Sequence, residues 1–248
     1  GDTSAVNLGA AFDLGTSTIA GYLVDLNSGR ELARAAVLNP QRSFGDDVIS
    51  RITYISQEKG GLQALSECVI GAINRLIGEM SDKAGFTGRD IYAITVAANT
   101  CMHHLFLGLD CTNLALYPYV PVLQKPYTVN AVELGLKINK CGKVYLLPNI
   151  AGFVGSDTVA VILNSGLYSS AKVKLVIDIG TNGEIVLGCK DKLLVCSTAA
   201  GPAFEGTQFS CGMHTAAGAI DAVSFGDKLN YAVSGGIKPR GICGSGLI

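Results

Sequence analysis

The stretch Val176-Ile177-Asp178-Ile179-Gly180-Thr181-Asn182-Gly183-Glu184 decides how the rest of the chain is read. The β-branched run over residues 173–179 predicts a buried strand. Gly180-Thr181-Asn182-Gly183 predicts a tight turn, and the apolar residues 185–187 predict a returning strand. Together they read as a β-hairpin with a carboxylate on its first strand. Glycine lets a backbone come close to a ligand, and successive N–H groups in such a turn form an anion-binding concavity. Thr181 adds a hydroxyl. Asp178 can hold a metal ion or orient a water.

The pattern occurs a second time, earlier in the chain, as Ala11-Phe12-Asp13-Leu14-Gly15-Thr16-Ser17-Thr18. It too runs from an apolar strand through Asp-x-Gly-Thr into a second strand, at residues 19–25. Each copy is followed by a further strand-like run, at residues 30–38 and 192–198. Two copies in matching surroundings predict a duplicated lobe with a phosphate-gripping hairpin in each half.

Composition narrows the choice. Of 248 residues, 48% are apolar and only 16% charged, against about 25% charged in an average domain. Such a chain either buries much of itself in a sizeable core or covers some surface with a partner. Glycine, at 31 residues, is well above the usual ~7% and fits many tight turns. The net charge of −1 comes with no basic face, which argues against nucleic acid as a partner. No apolar run approaches the ~18 residues of a membrane span. The eight cysteines include no Cys-x-x-Cys and no pairing with His at metal-ligand spacing. They read as free thiols in a reducing, cytoplasmic setting.

Between the hairpins, Asp46-Asp47-Val48-Ile49-Ser50-Arg51 reads as an acidic helix start. Arg42 and Arg51 are candidates for reaching a phosphate or a neighbouring lobe, or for structural roles. Leu62, Leu65, Val69, Ile73, Leu76, Ile77 and Met80 recur at helical spacing. His103 and His104 open an apolar helix, a setting that favours packed, hydrogen-bonded imidazoles over catalytic ones. Residues 116–121 read as extended and proline-fixed. A proline-led helix of small residues is expected over 149–163, where Asp157 either faces a nucleotide or its water, or pairs locally. The loop Gly201-Pro202-Ala203-Phe204-Glu205-Gly206 offers one acid to a ribose or a magnesium shell. Residues 127–134 and 144–147 read as strands, 216–223 as a short helix, and 241–248 as the start of a helix.

Paired Asp-x-Gly-Thr hairpins joined through a small-residue helix resemble the actin, sugar-kinase and heat-shock chaperone ATPase superfamily. That resemblance implies an α/β fold of ribonuclease H-like duplicated lobes, the actin-like ATPase fold. The first lobe, with the connecting helix, would span residues 1–167. The second, at 168–248, is expected to be incomplete. Asn39-Pro40-Gln41, Gly45-Asp46-Asp47-Val48-Ile49-Ser50-Arg51-Ile52, Asn99-Thr100-Cys101-Met102-His103-His104, Gly152-Phe153-Val154-Gly155-Ser156-Asp157-Thr158 and Gly241-Ile242-Cys243-Gly244-Ser245-Gly246 carry the resemblance further. They resemble the reductive activators of corrinoid-dependent proteins, and they cover nearly the whole chain. Members of that family use ATP to help drive an electron onto cobalt(II) of a corrinoid protein, restoring cobalt(I).

The resemblance implies a site. ATP with Mg2+ would sit between the hairpins, its phosphates held by Gly15, Thr16, Ser17 and Thr18 and by Gly180, Thr181, Asn182, Gly183 and Glu184. Asp13 and Asp178 would act through the metal, Asp157 would face the reacting water, and Gly201 and Glu205 would lie near the nucleotide. The expected partner is a corrinoid protein, and a homodimer is compatible with the reading. The iron–sulfur cluster that supplies the electron belongs to a domain absent from these residues, which hold no cysteine set of ferredoxin spacing. Three alternatives stay open from the residues alone. One is a small-molecule kinase. Another is a dehydratase-activating ATPase with Cys211 or Cys243 as cluster ligands. The third is a nucleotide-dependent scaffold.

Overall fold

A computed structural model describes residues 6–180, 182–199, 210–213, 216–226 and 228–247 of the chain. The chain divides into two compact units, Gly1–Tyr168 and Ser169–Ile248.

The first unit is built on a six-stranded sheet in the order β3-β2-β1-β4-β6-β5. Its strands are β1 (Leu8–Leu14), β2 (Thr18–Asp25), β3 (Glu31–Leu38), β4 (Ile91–Ala98), β5 (Tyr127–Asn130) and β6 (Lys143–Leu146). β1, β2 and β3 form an antiparallel meander. β4 then pairs parallel to β1, and β6 parallel to β4. Alternation sets the faces: Leu8, Ala10, Phe12 and Leu14 are buried while Ala11 and Asp13 are exposed. The predicted amphipathic helix is α2 (Gly61–Ala84). It lays Leu65, Val69, Ile73, Leu76, Ile77 and Met80 into the core and lies over β2 and β3. Gly85 ends it at φ +75, a left-handed stop that glycine tolerates. α1 (Val48–Gln57), α3 (Thr100–Leu107) and α4 (Ser156–Asn164) complete the unit.

The second unit repeats the meander. β7 (Lys174–Ile179), β8 (Asn182–Cys189) and β9 (Lys192–Ala199) pair antiparallel in the order β7-β8-β9. A second small sheet contains β10 (Ala219–Phe225), β11 (Leu229–Val233) and β12 (Gly241–Ile242).

Several sequence expectations are corrected. β7 is not buried: Leu175 is 57% and Ile177 52% exposed. An apolar run predicts burial only if a second layer covers it. Among the described residues nothing covers the face that carries Leu175, Ile177 and Ile179. Residues 216–223 do not form a helix. Gly218 takes φ +92, and Ile220, Val223 and Phe225 enter β10, where pairing with β11 overrides the helix propensity of the alanines. The helix expected over 149–163 begins only at Ser156. Residues 131–134 leave β5 as a 3-10 turn, as do residues 244–246 beyond β12. No helix of the described residues is long and apolar enough to cross a membrane.

Candidate functional site

The first hairpin stands at the C-terminal end of two parallel strands. Register puts Asp13 beside Ala97 and Leu14 beside Ala98. In open α/β sheets this is the end at which ligands bind. Across the hairpin Leu14 pairs with Ile19, and the Gly15 N–H donates to the Thr18 carbonyl at 2.9 Å. A Cβ on Gly15 would lie 2.7 Å from that carbonyl oxygen, so the turn needs glycine for space. Asp13 is exposed, Thr16 is buried, and Thr18 is at the surface.

The loop is held from behind by a buried polar cage. Asn39 Nδ2 donates to the Gly15 carbonyl at 2.9 Å. Arg51 Nη2 donates to the Thr16 carbonyl at 2.6 Å, and the Asn39 N–H donates to the Ser17 carbonyl at 2.8 Å. Asn99 Nδ2 donates to Thr16 Oγ1 at 2.9 Å. Local structure explains each placement. Asn39 caps a 3-10 turn through its Oδ1. Asn99 caps α3, its Oδ1 accepting from the Met102 N–H. Asp47 and Ser50 form a capping box that starts α1 one residue before Arg51 completes its turn. Arg51 is fully buried and also donates to the Gly45 carbonyl and to Gln41 Oε1. Burial pulls its pKa down to about 10, so it stays cationic at neutral pH.

Of the two arginines singled out in the sequence, Arg51 thus lies behind the loop and Arg42 meets exposed Asp46 at 3.3 Å. Asn39, Gln41 and Asn99 were missed as supports. The available signal was that they, like Arg51, fall in stretches that carry the family resemblance.

Ser156 and Asp157 open α4 beside this edge. Ser156 Oγ accepts the Ala98 N–H at 2.9 Å and donates to the Ala98 carbonyl at 3.0 Å. A Cβ on Gly155 would come 2.5 Å from the same carbonyl. Asp157 Oδ1 accepts the Thr158 N–H at 2.7 Å. His104 is hydrogen-bonded on both nitrogens. Nδ1 meets the Thr100 carbonyl at 2.7 Å, and Nε2 accepts from the N–H groups of Val122 and Leu123. Its proton therefore sits on Nδ1. His103 is buried with both ring nitrogens lacking a partner among the described residues. Both imidazoles are packed groups. Residues 116–121 are not an extended run: the Tyr119 N–H donates to the Leu116 carbonyl at 2.7 Å across a turn that contains a cis Tyr117-Pro118 bond, and Tyr119 takes φ +61.

The second hairpin differs in detail. Gly180 N–H donates to the Asn182 carbonyl at 2.9 Å, but a Cβ on Gly180 would meet that oxygen at an ordinary 3.6 Å. Asp178 lies directly opposite Glu184, so two carboxylates share one face. Asp13, by contrast, faces Ala20. Glu184 is buried and accepts from Ser197 Oγ at 3.2 Å. Asn182 is half-buried and Gly183 buried. Thr181, Gly201 and Glu205 lie outside the described residues.

Each hairpin, taken by itself, offers carboxylate oxygens of the kind a hard cation takes. Among the described residues there is no group of three or more His, Cys, Asp or Glu able to hold a metal ion by itself. Magnesium asks for less: one or two carboxylates, with phosphate oxygens and waters completing its shell. In the first unit Asp13, and in the second the Asp178–Glu184 pair, are the carboxylates that could serve. The Cys243 thiol is fully buried and donates to the Ile220 carbonyl at 3.3 Å, while Cys211 is exposed.

Comparison with known proteins follows the same division. A family model described as the RACo middle region matches residues 8–170. A second, described as the C-terminal domain of RACo, the ASKHA domain, matches residues 172–248. The chain is 41% identical over 241 residues to the corrinoid activation enzyme RamQ of Eubacterium limosum, covering 97% of this chain and 40% of that protein. It is 26% identical over 223 residues to the [Co(II) methylated amine-specific corrinoid protein] reductase of Methanosarcina barkeri, covering 86% and 40%. A solved reductive activator for corrinoid, iron–sulfur protein superposes with a TM-score of 0.92 at 45% identity, over 100% of this chain and 40% of that one. The chain therefore spans about 40% of the length of these relatives. On both family models and on these relatives, the chain belongs to the RACo family of corrinoid activators and carries the actin-like ASKHA fold.

Proposed function

We propose that these residues are the magnesium–ATP-binding part of a protein that returns a corrinoid protein from cobalt(II) to cobalt(I). One electron is added to the cobalt, and it comes from an iron–sulfur domain that is not among these 248 residues. The observation that carries the reading is the repeated Asp-x-Gly-Thr hairpin, each copy flanked by antiparallel strands. Backbone N–H groups of Thr16–Thr18 and Thr181–Gly183 would hold the phosphates, with Gly15 and Gly180 closing the two turns, and Asp13, Asp178 and Glu184 would hold magnesium directly or through water. Held there, magnesium would supply neutralisation of phosphate charge during transfer to water. Asp157 helps position that water, and Gly201 and Glu205 line the nucleotide. The protein's share of the chemistry is positioning and charge stabilisation. The partner is the corrinoid protein, whose affinity for the two nucleotide states must differ if ATP is to drive the change.

The test uses Asp13→Asn and Asp178→Asn in the full-length protein. Magnesium–ATP affinity and hydrolysis should fall in both, by about 10-fold or more. Parent-like values in both variants would remove the assignment.

A further inference from the structure

We infer that Asn39, Arg51 and Asn99 are positioning residues that set the first hairpin loop in its anion-binding form before any nucleotide arrives. The inference rests on the nucleotide-binding reading above and deepens it.

The argument is geometric. The peptide bonds of residues 15–18 are trans. In a trans peptide, the carbonyl of one residue and the N–H of the next point in opposite directions. The carbonyls of Gly15, Thr16 and Ser17 are each bound by the cage, through Asn39 Nδ2, Arg51 Nη2 and the Asn39 N–H. The N–H groups of Thr16, Ser17 and Thr18 must therefore point away from the cage. Three successive N–H groups directed to one side are an anion nest. Here the nest is dictated by residues that never touch the ligand. Asn99 adds a second constraint. Because its Nδ2 donates to Thr16 Oγ1, that oxygen acts as an acceptor and the Thr16 proton turns elsewhere.

Charge points the same way. The hydrogen bonds of Arg51 end on neutral acceptors: the Thr16 and Gly45 carbonyls, Gln41 Oε1 and Met102 Sδ. A buried guanidinium with no carboxylate hydrogen-bonded to it, and only the more distant charges of Asp47 and Asp46 acting on it, leaves positive potential behind the loop. In a low-dielectric setting that potential favours an anion in front of it. A loop ordered in advance also spares the ligand the entropy of ordering it.

Asn99→Ser isolates the effect, because serine still caps α3 but is too short to reach Thr16. Arg51→Met tests the clamp itself, with Asn99→Ser as the variant that keeps the fold. Measured in the full-length protein, Asn99→Ser should raise the Kd for magnesium–ATP about 10-fold with a near-parental unfolding midpoint. In the nucleotide-free protein, exchange of the Gly15 amide, which is bonded to the Thr18 carbonyl across the turn, should speed up. Paired with Thr16→Val, the two changes should be non-additive in Kd. Unchanged Kd and exchange in Asn99→Ser, or additive effects, would overturn the inference. If the parent binds magnesium–ATP and Asp13→Asn does not, such a result would leave the nucleotide reading standing. A parent protein that fails to bind magnesium–ATP would sink both.

Discussion

Ser156 Oγ closes a two-way bridge with the backbone of Ala98, accepting its N–H at 2.9 Å and donating to its carbonyl at 3.0 Å. A single hydroxyl thus ties the first turn of α4 to the end of β4, next to the strand that carries Asp13. Ser156→Ala leaves a buried N–H and a buried carbonyl without that partner. The expected loss is on the order of 2 kcal/mol of unfolding free energy, read by urea titration. A midpoint equal to the parent's would show that the bridge does not hold the helix start.

The two motif glycines should respond differently to the same substitution. Gly15→Ala puts a methyl 2.7 Å from the Thr18 carbonyl, which must move, whereas Gly180→Ala meets its neighbour at 3.6 Å. We expect Gly15→Ala to cost about 1–3 kcal/mol and Gly180→Ala to stay within about 0.5 kcal/mol of the parent. Calorimetry of both variants decides it. Equal losses would contradict the difference between the two turns.

Acid should weaken the first unit through its histidines. Burial, reinforced by neighbouring His104, pulls His103 down to about 4 from 6.5, and burial also lowers His104. A base whose folded pKa is depressed stays neutral in the fold while the unfolded chain takes up the proton. Stability is therefore full above about pH 6.5 and falls between 6.5 and 4, by up to about 3 kcal/mol from His103. His103→Leu removes an imidazole that has no hydrogen-bond partner among the described residues. It should be neutral at pH 7 and flatten the fall toward pH 4. An unchanged acid slope in urea titrations would refute this.

The opposed carboxylates of Asp178 and Glu184 make a metal-dependent prediction. Like charges directly across a strand pair cost about 0.2–1 kcal/mol. Glu184→Gln should raise the unfolding free energy by that amount in EDTA, less what the Ser197 hydrogen bond loses. It should also reduce the stabilisation that added magnesium brings. A magnesium response equal to the parent's would separate Glu184 from the metal.

Much of the fold was legible because its signals are local. The two hairpins, the third strand of each meander and the long helix follow from alternation, glycine turns and helical spacing. The misreadings have physical causes. Residues 216–223 carry alanines that suit a helix, but strand pairing placed them in β10. The apolar run 173–179 forms its strand, yet covering a strand depends on a second layer, which no local pattern encodes.

The sequence alone determined which segments are strands, where the paired loops fall, and, through its longer motifs, the family. Only the tertiary structure decided what stands behind the first loop. Asn39, Arg51 and Asn99 lie on three different elements, and the Asn99 contact with Thr16 joins residues 83 positions apart. Contacts of that separation exist only once β1 and β4 are paired and α1 and α3 are packed, because they depend on where whole elements sit and not on any residue's own preference.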